Sequence, residues 1–250
     1  SKNTRLLIVT EGVLIRKIQQ DPELAGIDLI IFDEFHERSL QADLALALAL
    51  EVQQLNSDLQ LLIMSATLDQ QKLALALDAP SLSSEGRSYP VEILYQAPTS
   101  EPVWLQSARL SLQASLKHQG SILTFLPGQR EINQARDWLL EQNSDSQLDI
   151  YALSGALTLA EQQQAIAASP QGRRKLVLTT NIAETSLTIE GIEVVVDSGF
   201  CRQAVYHPKH GLTRLDTVAI SQAAAIQRAG RAGRLSAGIC YRLDSAELWQ

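Results

Sequence analysis

Short, mainly apolar runs recur along this chain, and each closes in a polar cluster. Residues 5–10 run into Thr10-Glu11-Gly12, residues 27–32 into Asp33-Glu34, and residues 59–64 into Ser65-Ala66-Thr67. Residues 175–179 run into Thr180-Asn181, and residues 192–196 into Asp197. Runs this short and uniform suit strands buried on both faces of a parallel sheet, whereas a strand with one wet face would alternate. Between the runs lie helix-like stretches at 11–20, 40–55, 69–77, 103–117, 129–141 and 159–168. Strand and helix alternating in this order predict an α/β fold with parallel crossovers.

The alternation breaks once. Pro80, Gly86, Pro90, Pro98 and Pro102 punctuate the stretch between Asp78 and Pro102, which holds one strand-like piece at 91–95. This divides the chain into a first α/β unit at 1–88, a connector at 89–102 and a second α/β unit at 103–250. Near the end, two strand-like runs at 204–206 and 213–219 flank His207-Pro208-Lys209-His210-Gly211 and predict a β-hairpin. A helix is expected from Ser221, with a last strand at 239–243. The chain opens at Ser1 without methionine and goes straight into an apolar run. The expectation is therefore a fragment whose first unit is truncated at its N-terminal side.

Composition narrows the class. Hydrophobic residues make up 45% and charged residues 20%, enough apolar material for sizeable cores. Aromatics at 5% disfavour an all-β sandwich. A net charge of −7 argues against an overall basic coat but leaves room for one basic groove. The longest apolar stretch, 42–50, is interrupted by Asp43 and is too short to span a bilayer. Cys201 and Cys240 have neither metal-ligand nor disulfide-framework spacing, so a reducing cytoplasm is the expected compartment.

Ligands of open α/β sheets bind where the strands end, and the polar clusters sit there. Asp33 and Glu34 are adjacent carboxylates that point differently. One can hold Mg²⁺ while the other orients or deprotonates a water. Acids favouring a helix N-terminus are the alternative. Ser65 and Thr67 offer two hydroxyls at the next strand end, a pattern that is commonly a turn or cap. Residues 180–186 form a loop rich in hydroxyls and amides, suited to phosphate oxygens. Gln227-Arg228-Ala229-Gly230-Arg231-Ala232-Gly233-Arg234 packs three arginines between small residues. At helical spacing Gln227, Arg231 and Arg234 would share one face, with a bare backbone able to press close to a neighbour. Arginine's planar fork suits phosphate, and a solvated basic helix end is the alternative.

Together these residues resemble the DEAH-box superfamily 2 helicases. Asp33-Glu34-Phe35-His36, Ser65-Ala66-Thr67, residues 180–189 and residues 227–234 look like motifs II, III, V and VI of that family. Thr10-Glu11-Gly12-Val13-Leu14 resembles motif Ib and residues 122–129 resemble motif IV. The stretch 24–68, with Phe35 where most members have alanine, is similar to the bacterial HrpB-type members. The resemblance covers nearly the whole chain, and its specificity lies in four motifs in order. It implies two RecA-like parallel-sheet domains in tandem, ATP or another NTP with Mg²⁺ between them, and a nucleic-acid strand, RNA above all, across their top. Asp33 would be the Mg²⁺-linked carboxylate and Glu34 the activator of the attacking water. His36 and Gln227 would lie near the γ-phosphate, and Arg231 and Arg234 would be arginine fingers, worth roughly 10³–10⁵ in rate in related chemistry. Ser65 and Thr67 would couple hydrolysis to domain movement. Thr10, Thr180, Asn181 and Thr185 would contact the nucleic-acid backbone. The hairpin stands where the family has its strand-separating hairpin.

The sequence departs from the pattern in two places. These 250 residues contain no G-x-x-x-x-G-K-[ST] phosphate loop. Ala167 stands where some members stack a phenylalanine on the base, which implies weak base discrimination. The expectation is an NTP-dependent helicase whose 250-residue segment is by itself inactive. The competing expectation is a non-catalytic module that binds nucleic acid or a partner. His118 is expected to be a solvated helix cap, and Trp104, Trp138 and Trp249 packing anchors.

Overall fold

The computed structural model describes residues 4–35, 39–65, 70–83, 89–170, 172–184, 187–208 and 211–244. It forms two units, Ser1–Ser84 and Glu85–Gln250.

The first unit contains α1 (Glu11–Gln20), β1 (Leu29–Phe32), α2 (Leu40–Leu55), β2 (Gln60–Ile63) and α3 (Gln70–Ala76). β1 and β2 pair in parallel, from Leu29 opposite Gln60 to Phe32 opposite Ile63. The side chain of Ser39 accepts a hydrogen bond from the Ala42 amide and starts α2. Ala42, Ala45, Leu46, Ala49 and Val52 then bury one stripe of that helix, against a core that includes Ile30, Phe32 and Leu59. The strands alternate in burial despite their uniform apolar sequence: Ile30 and Phe32 are buried while Leu29 and Ile31 are exposed. The run at 5–10, expected as a strand, is not one. A strand exists by pairing with a neighbour, and among the described residues this segment has no ladder partner; Leu6, Leu7 and Ile8 stand exposed.

The second unit begins with β3 (Val91–Tyr95), α4 (Val103–Lys117), β4 (Ser121–Phe125), α5 (Gln129–Gln142), β5 (Leu148–Leu153) and α6 (Leu159–Ile166). It continues with β6 (Arg174–Thr179), β7 (Ile192–Asp197), β8 (Phe200–His207), β9 (Leu212–Ala219), α7 (Gln222–Gly230) and β10 (Gly238–Arg242). Six of these strands form one sheet in the order β3-β10-β7-β4-β6-β5, every pair parallel. The apolar runs of β4, β6 and β7 are buried on both faces. One face carries a core with α4 and α5 residues such as Leu110, Ala114, Ile132 and Leu139. The other carries Phe125, Val177 and Val195 with Ala165 of α6 and Ala229 of α7. β8 and β9 form the expected antiparallel hairpin, from Phe200 opposite Ala219 to His207 opposite Leu212.

Residues 89–102, expected as a connector, contribute a strand to the second sheet. β3 pairs with β10 from Val91 opposite Gly238 to Tyr95 opposite Arg242. The prolines flank this edge strand rather than interrupt it, so its amides remain available to the ladder. Just before the strand, the Tyr89 amide donates to the Gly233 carbonyl at 2.9 Å.

Two polar devices close α6. A capping box between Thr158 and Glu161 starts it. At its far end the buried Lys175 ammonium donates to the carbonyls of Ala165 (3.1 Å), Ile166 (3.3 Å) and Ala167. Those carbonyls are the orphans of a helix terminus, and a cation there complements the helix dipole. Burial pulls the Lys175 pKa down, against the opposing charge of Glu190. His118, at the C-terminal cap of α4, is no solvated cap: its ring hydrogen-bonds the Tyr241 hydroxyl at 2.8 Å. Trp104 and Trp138 pack against the core as expected, and Trp249 lies outside the described residues.

Candidate nucleotide and nucleic-acid site

In the first unit the acidic pair sits on a backbone held from both sides. The Met64 amide donates to the Phe32 carbonyl at 2.8 Å, and the Phe35 amide donates to the Met64 carbonyl at 3.0 Å. Phe35 is buried edge-on against Phe32, with ring centroids 6.2 Å apart at 80°, so the larger residue at this position fills the core below the turn. Between these anchors Asp33 is exposed and Glu34 is half-buried. Glu34 has φ +51, the left-handed region that a non-glycine residue occupies at a cost of about 1–3 kcal/mol. The Asp33 carboxylate accepts from the Glu34 amide at 2.9 Å and fixes that turn. Ser65 follows directly on Met64, so its hydroxyl and the acid pair share one strand-end rim. Thr10 is the exposed residue preceding α1, with its carbonyl accepting from the Val13 and Leu14 amides, both at 3.0 Å. His36 and Thr67 lie outside the described residues.

In the second unit the arginine cluster does not lie on one helix. Ser221 caps α7, its hydroxyl accepting from the Ala224 amide at 3.2 Å, but the helix ends at Gly230. The chain then tightens into three-residue turns, with Arg231 N to Arg228 O at 3.1 Å and Gly233 N to Gly230 O at 3.2 Å. Gln227, Arg231 and Arg234 therefore do not form a helical stripe. Two glycines weaken the helix here, and only one of them is needed for close approach. Gly230 faces open space, whereas a Cβ on Gly233 would lie 2.6 Å from the Tyr89 carbonyl oxygen and 2.7 Å from Val91 Cγ2. Bare backbone thus lets the arginine turn press against the edge strand β3. Gly233→Ala is expected to lower unfolding free energy by about 1–3 kcal/mol in urea titration. An unchanged midpoint and slope would show that the turn can yield.

The arginines of this turn differ in setting. Arg231 is 5% exposed; its Nε donates to the Glu184 carbonyl at 2.8 Å and a terminal NH to the Leu187 carbonyl at 2.5 Å. Arg234 is exposed and donates to Thr188 Oγ1 at 2.9 Å. Gln227 is half-buried. Both arginines thus touch the loop that follows β6. That loop begins with half-buried Thr180 and exposed Asn181, which opens a short 3-10 turn at Asn181–Ala183. Thr185 lies outside the described residues.

One residue of the cluster was not singled out by the sequence. Arg228 is fully buried. Its Nε donates to Glu184 Oε1 at 2.5 Å, and one terminal NH donates to Asp197 Oδ1 at 2.9 Å and to the Phe200 carbonyl at 3.2 Å. The guanidinium lies 4.9 Å from the centre of the Phe125 ring. Asp197, equally buried, also faces Arg242 Nε at 3.6 Å, and Arg242 donates to the Ala225 carbonyl at 2.8 Å. Burial opposes the charge on Arg228, but the carboxylates of Asp197 and Glu184 outweigh it and hold its pKa above the ordinary guanidinium value. A signal was present: Asp197 ends a run of valines, and an acid at a buried strand end needs a buried cation.

With this parallel sheet and an arginine turn that reaches Glu184, Leu187 and Thr188, the chain belongs to the helicase conserved C-terminal domain family, which matches residues 106–236. Its sequence is 54% identical over 248 residues to the ATP-dependent RNA helicase HrpB of Escherichia coli (strain K12), covering 98% of this chain and 30% of that protein. It is 39% identical over 255 residues to the ATP-dependent RNA helicase HrpA of Borreliella burgdorferi, covering 31% of that protein. Two crystal structures of E. coli HrpB, described as a DExH-box NTPase and as a DEAH/RHA helicase, match with TM-scores of 0.91 and 0.94 at 53% identity. Each match covers 99% of this chain and about a third of the solved one (31% and 32%). The chain thus spans about 30% of the length of the curated relatives it matches.

Proposed function

We propose that the complete gene product is a DEAH-type NTP-dependent RNA helicase, working in the cytoplasm, and that this chain supplies much of its motor. The observation that carries this reading is positional. Asp33-Glu34 follows β1, Ser65 follows β2 and Thr180-Asn181 follows β6, each at the carboxyl end of a parallel strand. Asp33 offers hard carboxylate oxygen at an exposed position, which fits Mg²⁺, an ion commonly held by one or two carboxylates together with substrate phosphates. The ion, when bound there, would neutralise charge on the phosphates. Glu34, held in its left-handed turn, orients and deprotonates the attacking water. Gln227, His36, Arg231 and Arg234 act on the γ-phosphate and on the charge that develops as it leaves. Arg234 is the more accessible of the two arginines. Ser65 and Thr67 relay hydrolysis to movement, and Thr10, Thr180, Asn181 and Thr185 grip backbone phosphates without reading bases. Residues 1–88 and 103–250, with β3 added to the latter, are its two RecA-like domains.

A second reading, a non-catalytic nucleic-acid- or partner-binding module, is favoured by the lack of a phosphate loop within these 250 residues. NTP hydrolysis with and without single-stranded RNA separates the two. The complete gene product should hydrolyse ATP and be stimulated by RNA, while the 250-residue chain alone should do neither. RNA binding without hydrolysis by the complete product would establish the second reading.

A further inference from the structure

We propose that Arg228 is a positioning residue that locks the root of the β8–β9 hairpin to Glu184, in the turn that follows β6, and to the arginine turn, so that these three elements move as one. The coupling role assigned to it rests on the helicase reading above; the physical linkage does not. One guanidinium joins three separate segments: the Glu184 carboxylate in the loop, the Asp197 carboxylate at the end of β7 and the Phe200 carbonyl at the start of β8. The corner between β7 and β8 is itself stiff. Asp197 Oδ1 also accepts from the Gly199 amide at 3.0 Å, the Ser198 amide donates to Phe125 O at 3.2 Å, and the Ile220 amide closes the hairpin root onto Gly199 O at 3.0 Å.

Glu184 is gripped at both ends, its carboxylate by Arg228 and its carbonyl by Arg231. A shift of the loop at Glu184 therefore changes both arginines together. Because Arg228 is fully buried, pulling one carboxylate away leaves a charge with reduced compensation in a low-dielectric interior, so intermediate arrangements are unfavourable. That favours two discrete states over a gradual deformation. Beyond its root the hairpin is open: Ala204, Tyr206 and Leu215 share an exposed face. A further tie runs from Arg202 to Glu131 of α5 at 3.3 Å. A lysine at 228 would keep the charge, but one ammonium cannot reproduce the forked reach to three acceptors.

The test uses Arg228→Lys and Glu184→Gln in the complete gene product. Hydrogen exchange should rise about tenfold in both 181–184 and 200–207, the size expected when a charge-assisted hydrogen bond is lost, while β4 and β6 stay unchanged. Glu184→Gln is the decisive arm, because it touches only the loop yet should speed exchange in the hairpin root. It also serves if the lysine variant does not fold. In Arg228→Lys, hydrolysis without RNA should stay within about threefold while RNA stimulation and unwinding fall about tenfold or more. A purely structural arginine would lower both in proportion to the folded fraction. Unchanged exchange at 200–207 in Glu184→Gln overturns the linkage, and a proportional fall of basal and stimulated rates overturns the coupling role. Absence of RNA-stimulated hydrolysis in the unmodified protein removes the helicase reading and the coupling role with it, and leaves the linkage to be decided by the exchange data.

Discussion

Glu34→Gln in the complete gene product is expected to leave nucleotide affinity nearly unchanged and to cut turnover by about 10²–10⁴-fold, the usual contribution of a positioned general base. The amide is close in size to the carboxylate, so the half-buried side chain and the backbone that carries it should persist. The left-handed turn at Glu34 is held by the Asp33 carboxylate and by the Met64 bonds to Phe32 and Phe35, none of which needs the Glu34 side chain. The substitution thus removes the carboxylate's basicity while keeping the side chain's size. Steady-state hydrolysis together with equilibrium binding of a fluorescent nucleotide separates the two effects. Turnover within twofold of the unmodified enzyme would take Glu34 out of the mechanism; lost binding would mean that it holds the nucleotide.

Asp197→Ala should destabilise the second unit by about 3–5 kcal/mol, the range seen when one partner of a buried ion pair is removed. Asp197 has no solvent exposure and faces two guanidinia, those of Arg228 and Arg242. Its loss leaves two cations in the interior with Glu184 as the carboxylate remaining to Arg228. Arg228→Met alone should also destabilise, but the double variant should cost less than the sum of the two, because the second change removes a charge that the first left stranded. Urea unfolding of all four proteins completes the cycle. Additive effects, or a single-variant cost under about 1 kcal/mol, would show that the charges are screened in a way their burial does not suggest.

The elements legible in the sequence were those set by local chemistry. α2 spans Leu40–Leu55, the bounds of the Ala- and Leu-rich stretch, and α4 begins directly after Pro102. The ends of β1, β2, β6 and β7 were legible as apolar runs that stop at polar clusters, but the run at 5–10 stops in the same way without being a strand. Pairing was not legible. β3 is five residues that look like a turn-bounded fragment, and nothing local says that its neighbour is β10. The same limit hid Arg228. Within its motif it is one arginine among three, and only the fold shows that it lies on the buried stripe with Ala225 and Ala229. The end of α7 at Gly230 is likewise hidden in the sequence, because helical spacing continues through two glycines whose cost outweighs the pattern.

The register of β3 with β10 also bears on how this unit is made. The ribosome delivers its first strand long before the partner that pairs with it, Val91 opposite Gly238. At translation rates of about 5–20 residues per second, β3 waits on the order of ten seconds with its ladder groups unmatched. Until β10 arrives, β7 lacks a neighbour too, since β10 lies between it and β3. The sheet is therefore closed by a strand inserted between two earlier ones. A nascent chain halted before Gly238 would carry two open edges at once, which makes that interval the one in which a chaperone has most to hold.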